Sequence, residues 1–204
     1  MATPAFVQIT EGAGKRLASS TYTENAQTVY DQKFIPGENY LATYTIDATN
    51  VSIATVNDHV VAFMAGASLN VRVRYIHIEQ NASATAVARA TFELLRLTTA
   101  GSGGSALTPA KHDTSDAASG CTAQTLPSSK GTESTILRDE VLIMRQALSA
   151  TQTQPEEAIL WQPDLRSKPY IIPAGAANGF AVKILNAIPG ATVNIVVEFT
   201  ETSL

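Results

Sequence analysis

Charge is scarce in this chain. Asp, Glu, Lys and Arg make up 16% of its 204 residues, against an ordinary share of about 25%. The 14 basic and 18 acidic residues leave a net charge of −4. That balance argues against nucleic acid as a partner, which calls for a concentrated basic footprint. A weakly charged surface rich in Ala, Thr and Ser suits packing against other protein. Cysteine is nearly absent. With Cys121 alone, an internal disulfide and a cysteine zinc cluster are excluded. The residue sits in a Gly/Ser/Thr-rich stretch and reads as an unreactive thiol, because only a positive or helix-N-terminal setting lowers a thiol pKa. Long apolar runs are missing as well. The longest, Val60 to Ala67, is far too short to span a bilayer, so no membrane partner is expected. The opening MATPAFVQIT has neither a basic n-region nor an apolar h-region. No signal peptide is expected, and synthesis in the cytosol follows.

What the chain has is period-two alternation. In LNVRVRYIHIEQ, residues 69–80, Leu69, Val71, Val73 and Tyr75 share one face while Asn70, Arg72 and Arg74 share the other. In the run that ends in LRL97, Ala88, Ala90, Phe92 and Leu94 alternate with Arg89, Thr91 and Glu93. A loop over Asn81 to Ala84 would make the two a hairpin. Val71 would then face Leu94, Val73 Phe92, Tyr75 Ala90 and Arg72 Glu93. Ile76 and Ile78 fall on the arginine face, so either that tip is covered on both sides or one strand carries a bulge.

Further strands are expected at Tyr40–Ile46, Val51–Val56, His59–Met64, Ala158–Trp161, Tyr170–Ile172, Phe180–Ile184 and Val193–Phe199, with a turn at Asp47–Asn50. Ala106–Pro109 and Thr122–Leu126 read as short edge strands inside a Gly/Ser/Thr/Ala-rich loop region, residues 98–135. Residues 137–148 fit either a helical face or a strand buried on both sides; the β surroundings favour the strand. Residues 1–39 show no sustained period and read as an extended N-terminal arm, ahead of a single β-sandwich domain over residues 40–204. Eight or more short strands without alternating helices point to an all-β, antiparallel sandwich of jelly-roll-like kind.

Chemistry is hard to find. Gly12-Ala-Gly14-Lys15 lacks the first glycine of a phosphate loop, with Ile9 in its place, and Arg16 stands where Ser or Thr is needed. His59, His77 and His112 have no metal-ligand spacing. Asp113 and Asp116 read as turn formers. Glu156 and Glu157 read as a solvated pair, and Trp161 with Tyr170 as core aromatics rather than a sugar platform. No serine elbow occurs. The reading is of a protein without catalytic, cofactor-binding or metal residues.

Several segments carry a resemblance: ITEGAGK, PGENYLATYTI, NDHVVAFMAGASLNVRVRYIHIEQ, LRLTTAGSGGSALTP, LPSSKGTEST and RSKPYIIPAGAANGFAVK. Together they span nearly the whole chain, and it resembles a family of tailed-bacteriophage virion structural proteins. The resemblance implies a jelly-roll-like domain and a place in the virion. Within the particle, the missing chemistry, the small-residue surface and the long arms lead us to expect a capsid decoration or cement protein, with a head–tail connector, tail or fibre-base component, or a sugar-binding receptor module on a fibre, as the alternatives. The expected partners are copies of itself, as a trimer or other symmetric homo-oligomer, and the major capsid protein or other virion proteins. No enzymatic activity comes with the resemblance.

Overall fold

A computed structural model describes residues 41–82, 84–146, 156–163 and 169–203, and the backbone of 19–24 and 27–32. The chain divides into two units, Met1–Tyr40 and Leu41–Leu204. In the first, β1 (Ser19–Glu24) and β2 (Gln27–Gln32) pair antiparallel, with Ser19 opposite Gln32 and Glu24 opposite Gln27. This hairpin lies in a stretch whose sequence shows no strand alternation. The rest of the expected arm, including Gly12 to Arg16, lies outside the described residues.

The second unit is β throughout. Its strands are β3 (Thr43–Ser52), β4 (His59–Met64), β5 (Asn70–Ala82), β6 (Ala88–Leu97), β7 (Ser105–Leu107), β8 (Ala110–Lys111) and β9 (Thr122–Thr125). They are followed by β10 (Glu133–Met144), β11 (Glu157–Trp161), β12 (Tyr170–Ile172), β13 (Gly179–Ile184) and β14 (Thr192–Thr202). Sheet I has the order β10-β6-β13-β4-β9-β7; sheet II has β11-β5-β14-β3-β8, with β12 also on β5. The two sheets pack as an antiparallel sandwich. Its eight principal strands pair in a nested way: β3 with β14, β4 with β13, β5 with β11, and β6 with β10. The core between the sheets holds Tyr44, Phe63, Phe92, Phe180 and Phe199 with a field of aliphatic residues. Phe63 stacks on Phe180 and meets Phe199 edge-on.

The expected hairpin of residues 69–97 does not form. β5 lies in sheet II and β6 in sheet I, so their apolar faces meet across the core instead of side by side. Alternation identifies a buried face, and two strands facing each other satisfy it as well as two paired ones. Arg72 accordingly stands opposite Thr200 on β14, not Glu93. The change of face at Ile76 has a local cause. Tyr75 is opposite Glu198 while Val73 is opposite Phe199, so Arg74 is an extra residue and the strand turns over there. Val71 and Val73 before the bulge and Ile76 and Ile78 after it are all buried, and no second covered surface is required.

A similar bulge absorbs the expected turn at Asp47–Asn50. Those residues lie inside β3, where Ala48 faces Ile195 and Val51 faces Val193. Asn50 has φ 56°, a left-handed conformation that Asn tolerates better than most residues. Its N–H donates to Asn194 Oδ1 at 2.9 Å. Residues 137–144 are strand. Leu142 and Met144 point into the core, but Ile143 is 44% exposed, so this edge strand is buried on one face only.

The tract over 98–135 is the main surprise. Ser105 pairs with Thr125, Ser102 with Ser129, Leu97 with Glu133, and Leu94 with Arg138. One antiparallel ribbon therefore runs from β6/β10 to β7/β9. At its start β6 borders β13 at the Gly179 end, where Leu97 is opposite Gly179. At its other end β9 borders β4, with Leu126 N–H donating to the His59 carbonyl. Gly179 and His59 lie at opposite ends of the β13–β4 pair. The ribbon must therefore cross both strands diagonally. The core face is filled, so the crossing is on the outer face of sheet I. Beyond it, the ribbon tip reaches sheet II, where β8 pairs with β3.

Small residues let the two strands of the ribbon lie close together. A Cβ on Gly131 would lie 2.2 Å from the Thr99 carbonyl oxygen, and one on Gly104 2.3 Å from that of Thr125. Gly131→Val should therefore cost about 1–3 kcal/mol by overpacking, read as a lower urea midpoint. Gly120→Ala meets nothing closer than 3.6 Å and should stay within about 0.5 kcal/mol. Equal effects from the two would contradict the close approach of the ribbon's two strands.

Candidate functional site

The outer face beneath the ribbon holds an unusual set of side chains. Ala62, Met64, Leu95, Leu97 and Ala181 form a small apolar cluster separate from the main core. Beside it runs a polar row. His59 on β4 is opposite Lys183 on β13, which is opposite Glu93 on β6. Glu133, where the ribbon enters β10, completes the group. Its Oε1 is 2.9 Å from His59 Nε2 and its Oε2 accepts from Lys183 Nζ at 2.8 Å. Lys183 Nζ also lies 3.0 Å from Glu93 Oε2. Three residues before Glu133, Lys130 pairs with Asp58 at 3.3 Å.

Burial decides what this cluster does. The His59 side chain is fully buried, and those of Lys183 and Glu93 are 13% and 7% exposed. Burial lowers the His59 pKa, only partly offset by the Glu133 hydrogen bond and charge, while Lys130 and Lys183 push it the same way as burial. At neutral pH the ring is therefore uncharged and donates Nε2–H to Glu133. Its Nδ1 has no partner among the described residues. Burial alone would lower Lys183 and raise Glu133; their mutual contacts, with Glu93 and His59, outweigh that, so Lys183 is raised and Glu133 lowered. Both are firmly ionised and both are already engaged. The group ties four strands together, and it presents no free nucleophile or base to solvent.

A second tie holds the ribbon tip. Glu201, buried on β14, accepts through Oε1 from Ser119 Oγ at 2.7 Å, Gly120 N–H at 3.2 Å and Cys121 Sγ at 2.9 Å. Burial, with the Glu201 carboxylate beside it, pushes the Cys121 thiol up to about 12. Such a thiol keeps its proton at neutral pH. Nearby, Tyr44 donates its hydroxyl to the Ala117 carbonyl at 3.0 Å.

The other residues singled out in the sequence fall apart in space. Asp113 accepts from both the N–H and the hydroxyl of Ser115, which closes a turn and holds its carboxyl below the usual range. His112 bonds Thr45 Oγ1 at 2.6 Å. His77 pairs with Glu157 at 3.0 Å, and Glu156 pairs with Arg145. Arg72 and Arg74 lie in sheet II; Arg89 and Arg96 lie in sheet I. Arg96 caps the Tyr170 ring at 4.7 Å. Tyr170 is buried, and half-buried Trp161 donates its indole N–H to the Val73 carbonyl at 3.2 Å. Among the described residues, no three His, Cys, Asp or Glu side chains are grouped to hold a metal.

Sequence reasoning missed the His59–Glu133–Lys183–Glu93 group because its members come from four separate strands. The available signals were slight: a lysine inside the apolar strand Phe180–Ile184, and a histidine heading the run VVAFM. Comparison with known proteins found no matching family model, no matching curated protein and no matching solved structure.

Lys183→Met removes the one cation shared by two carboxylates. It should cost about 3 kcal/mol, the range for breaking a buried pair, measured by urea unfolding at neutral pH. A loss under about 1 kcal/mol, the range of exposed pairs, would show that the tie does not hold the strands.

Proposed function

We propose that this chain is a non-enzymatic structural protein of a bacteriophage virion, a capsid cement or decoration protein. It stabilises the head through protein–protein contacts, as a symmetric homo-oligomer seated on the major capsid protein. The observation that carries this reading is how its reactive side chains are used. His59, Lys183, Glu93 and Glu133 join strands under the ribbon, and Cys121 is held by Glu201. Groups that would do chemistry in an enzyme serve as internal ties.

Two further features support it. The nested pairing of the eight principal strands fits a long hairpin wrapped into a jelly roll, an architecture used in viral capsid proteins. The sequence resemblance points to the particle as well. Sugar stacking is disfavoured, because Tyr170 is buried and the Trp161 indole N–H is taken. The mechanism is mass action: a protein that binds the assembled shell better than its separate subunits stabilises the shell.

Quantitative mass spectrometry and reconstruction of purified virions test this. The expected result is density on the head surface with a copy number that follows the capsid lattice. A copy number that follows the symmetry of the tail or connector would overturn it.

A further inference from the structure

We propose that the ribbon crossing, residues 98–104 with 126–132, is an acid-released strap. On mild acidification it lifts from the outer face of sheet I while the sandwich stays folded, and it uncovers the apolar cluster of Ala62, Met64, Leu95, Leu97 and Ala181.

The ribbon's regular hydrogen bonds run within the ribbon. Thr98 N–H donates to Thr132 O, and Ser102 and Ser129 exchange N–H···O bonds. These survive if the crossing bows away as a unit. The ties to the face beneath are different in kind. Among the described residues they are Leu126 N–H to His59 O, Lys130 to Asp58, and Glu133 to His59 and Lys183. The ionic ones converge on the one fully buried imidazole in the row.

Protonation of His59 is costly at this place. A second N–H would appear at Nδ1, which has no acceptor among the described residues. The charged groups around the ring are Glu133 from β10, Lys183 from β13 with its partner Glu93 from β6, Lys130 from the ribbon and Asp58 just before β4. Both lysines repel an imidazolium, and Glu133 already serves Lys183. The folded-state pKa of His59 lies below its ordinary 6.5. The stabilisation is therefore complete above that value and is lost as pH falls through the folded-state pKa. Glu133, also lowered from 4.5, follows the same sign at more acid pH: its protonation releases both cations. The core cluster between the sheets holds no histidine or carboxylate among the described residues, so the strap opens first.

The two buried methionines report this directly. Met64 lies in the cluster under the ribbon and Met144 lies in the main core. Their sulfoxide formation in dilute hydrogen peroxide is followed by mass spectrometry at about pH 7.5 and about pH 5, the window in which histidine titrates. The expected result is a several-fold rise in the Met64 oxidation rate. Met144 stays protected. His59→Gln, which keeps a neutral donor toward Glu133, should remove the increase. Glu133→Gln should make Met64 reactive already at neutral pH. If Met64 stays as slow at the lower pH, if both methionines accelerate together, or if His59→Gln keeps the increase, the proposal is wrong. Should His59→Gln fail to fold, the wild-type comparison and Glu133→Gln still decide it.

Discussion

Two backbones cross the outer face of sheet I so closely that a methyl group would not fit between them at Gly131 or Gly104. Much else depends on that crossing. It lets a single ribbon start at one edge of the sheet, pass over β13 and β4, and rejoin the sheet at the other edge as β9. It places Glu133 over His59 and Lys183. It carries the tip far enough for β8 to pair with β3 and for Ser119 to Cys121 to reach Glu201. One low-complexity tract thus fastens both sheets, which is why its composition looks like a loop while its geometry does not.

The polar ties follow from burial. A lysine placed on the covered face must be matched, and two carboxylates match it. An imidazole placed beside it stays neutral because the dry setting disfavours a further charge. The same logic makes Cys121 inert: a buried thiol beside a carboxylate keeps its proton. These groups specify how strands meet, and the cost of leaving any one unmatched makes the arrangement hard to exchange for another.

The individual strands were legible in the sequence, since alternation in β13 and β14, the runs of β4, β11 and β12, and the short edges β7 and β9 lie close to where they were expected. Pairing was not legible. β5 and β6 carry complementary apolar faces whether they lie side by side or face to face, and the chain between them is short enough for a hairpin. Bulges were legible only as anomalies. The misplaced Ile76 and Ile78 signalled the extra residue at Arg74, while the polar run Asp47–Asn50 imitated a turn that is in fact strand. The ribbon was hidden because backbone-to-backbone contact between small residues leaves no hydrophobic period. The ionic group was hidden because His59, Glu93, Glu133 and Lys183 are distant in sequence and become neighbours only through sheet order.

Amide hydrogen exchange in the 98–135 tract tests this account most directly. Strong protection at neutral pH is expected for the amides of Thr98, Ser102 and Ser129, each of which donates to a backbone carbonyl across the ribbon, and for Thr132, which donates to Thr99 Oγ1 at 2.8 Å. Their protection should approach that of β6. Exchange of these four amides at the rate of a free peptide, with β6 still protected, would mean that the tract is a loop, and the crossing, the tie at Glu133 and the anchoring of the tip would lose their basis.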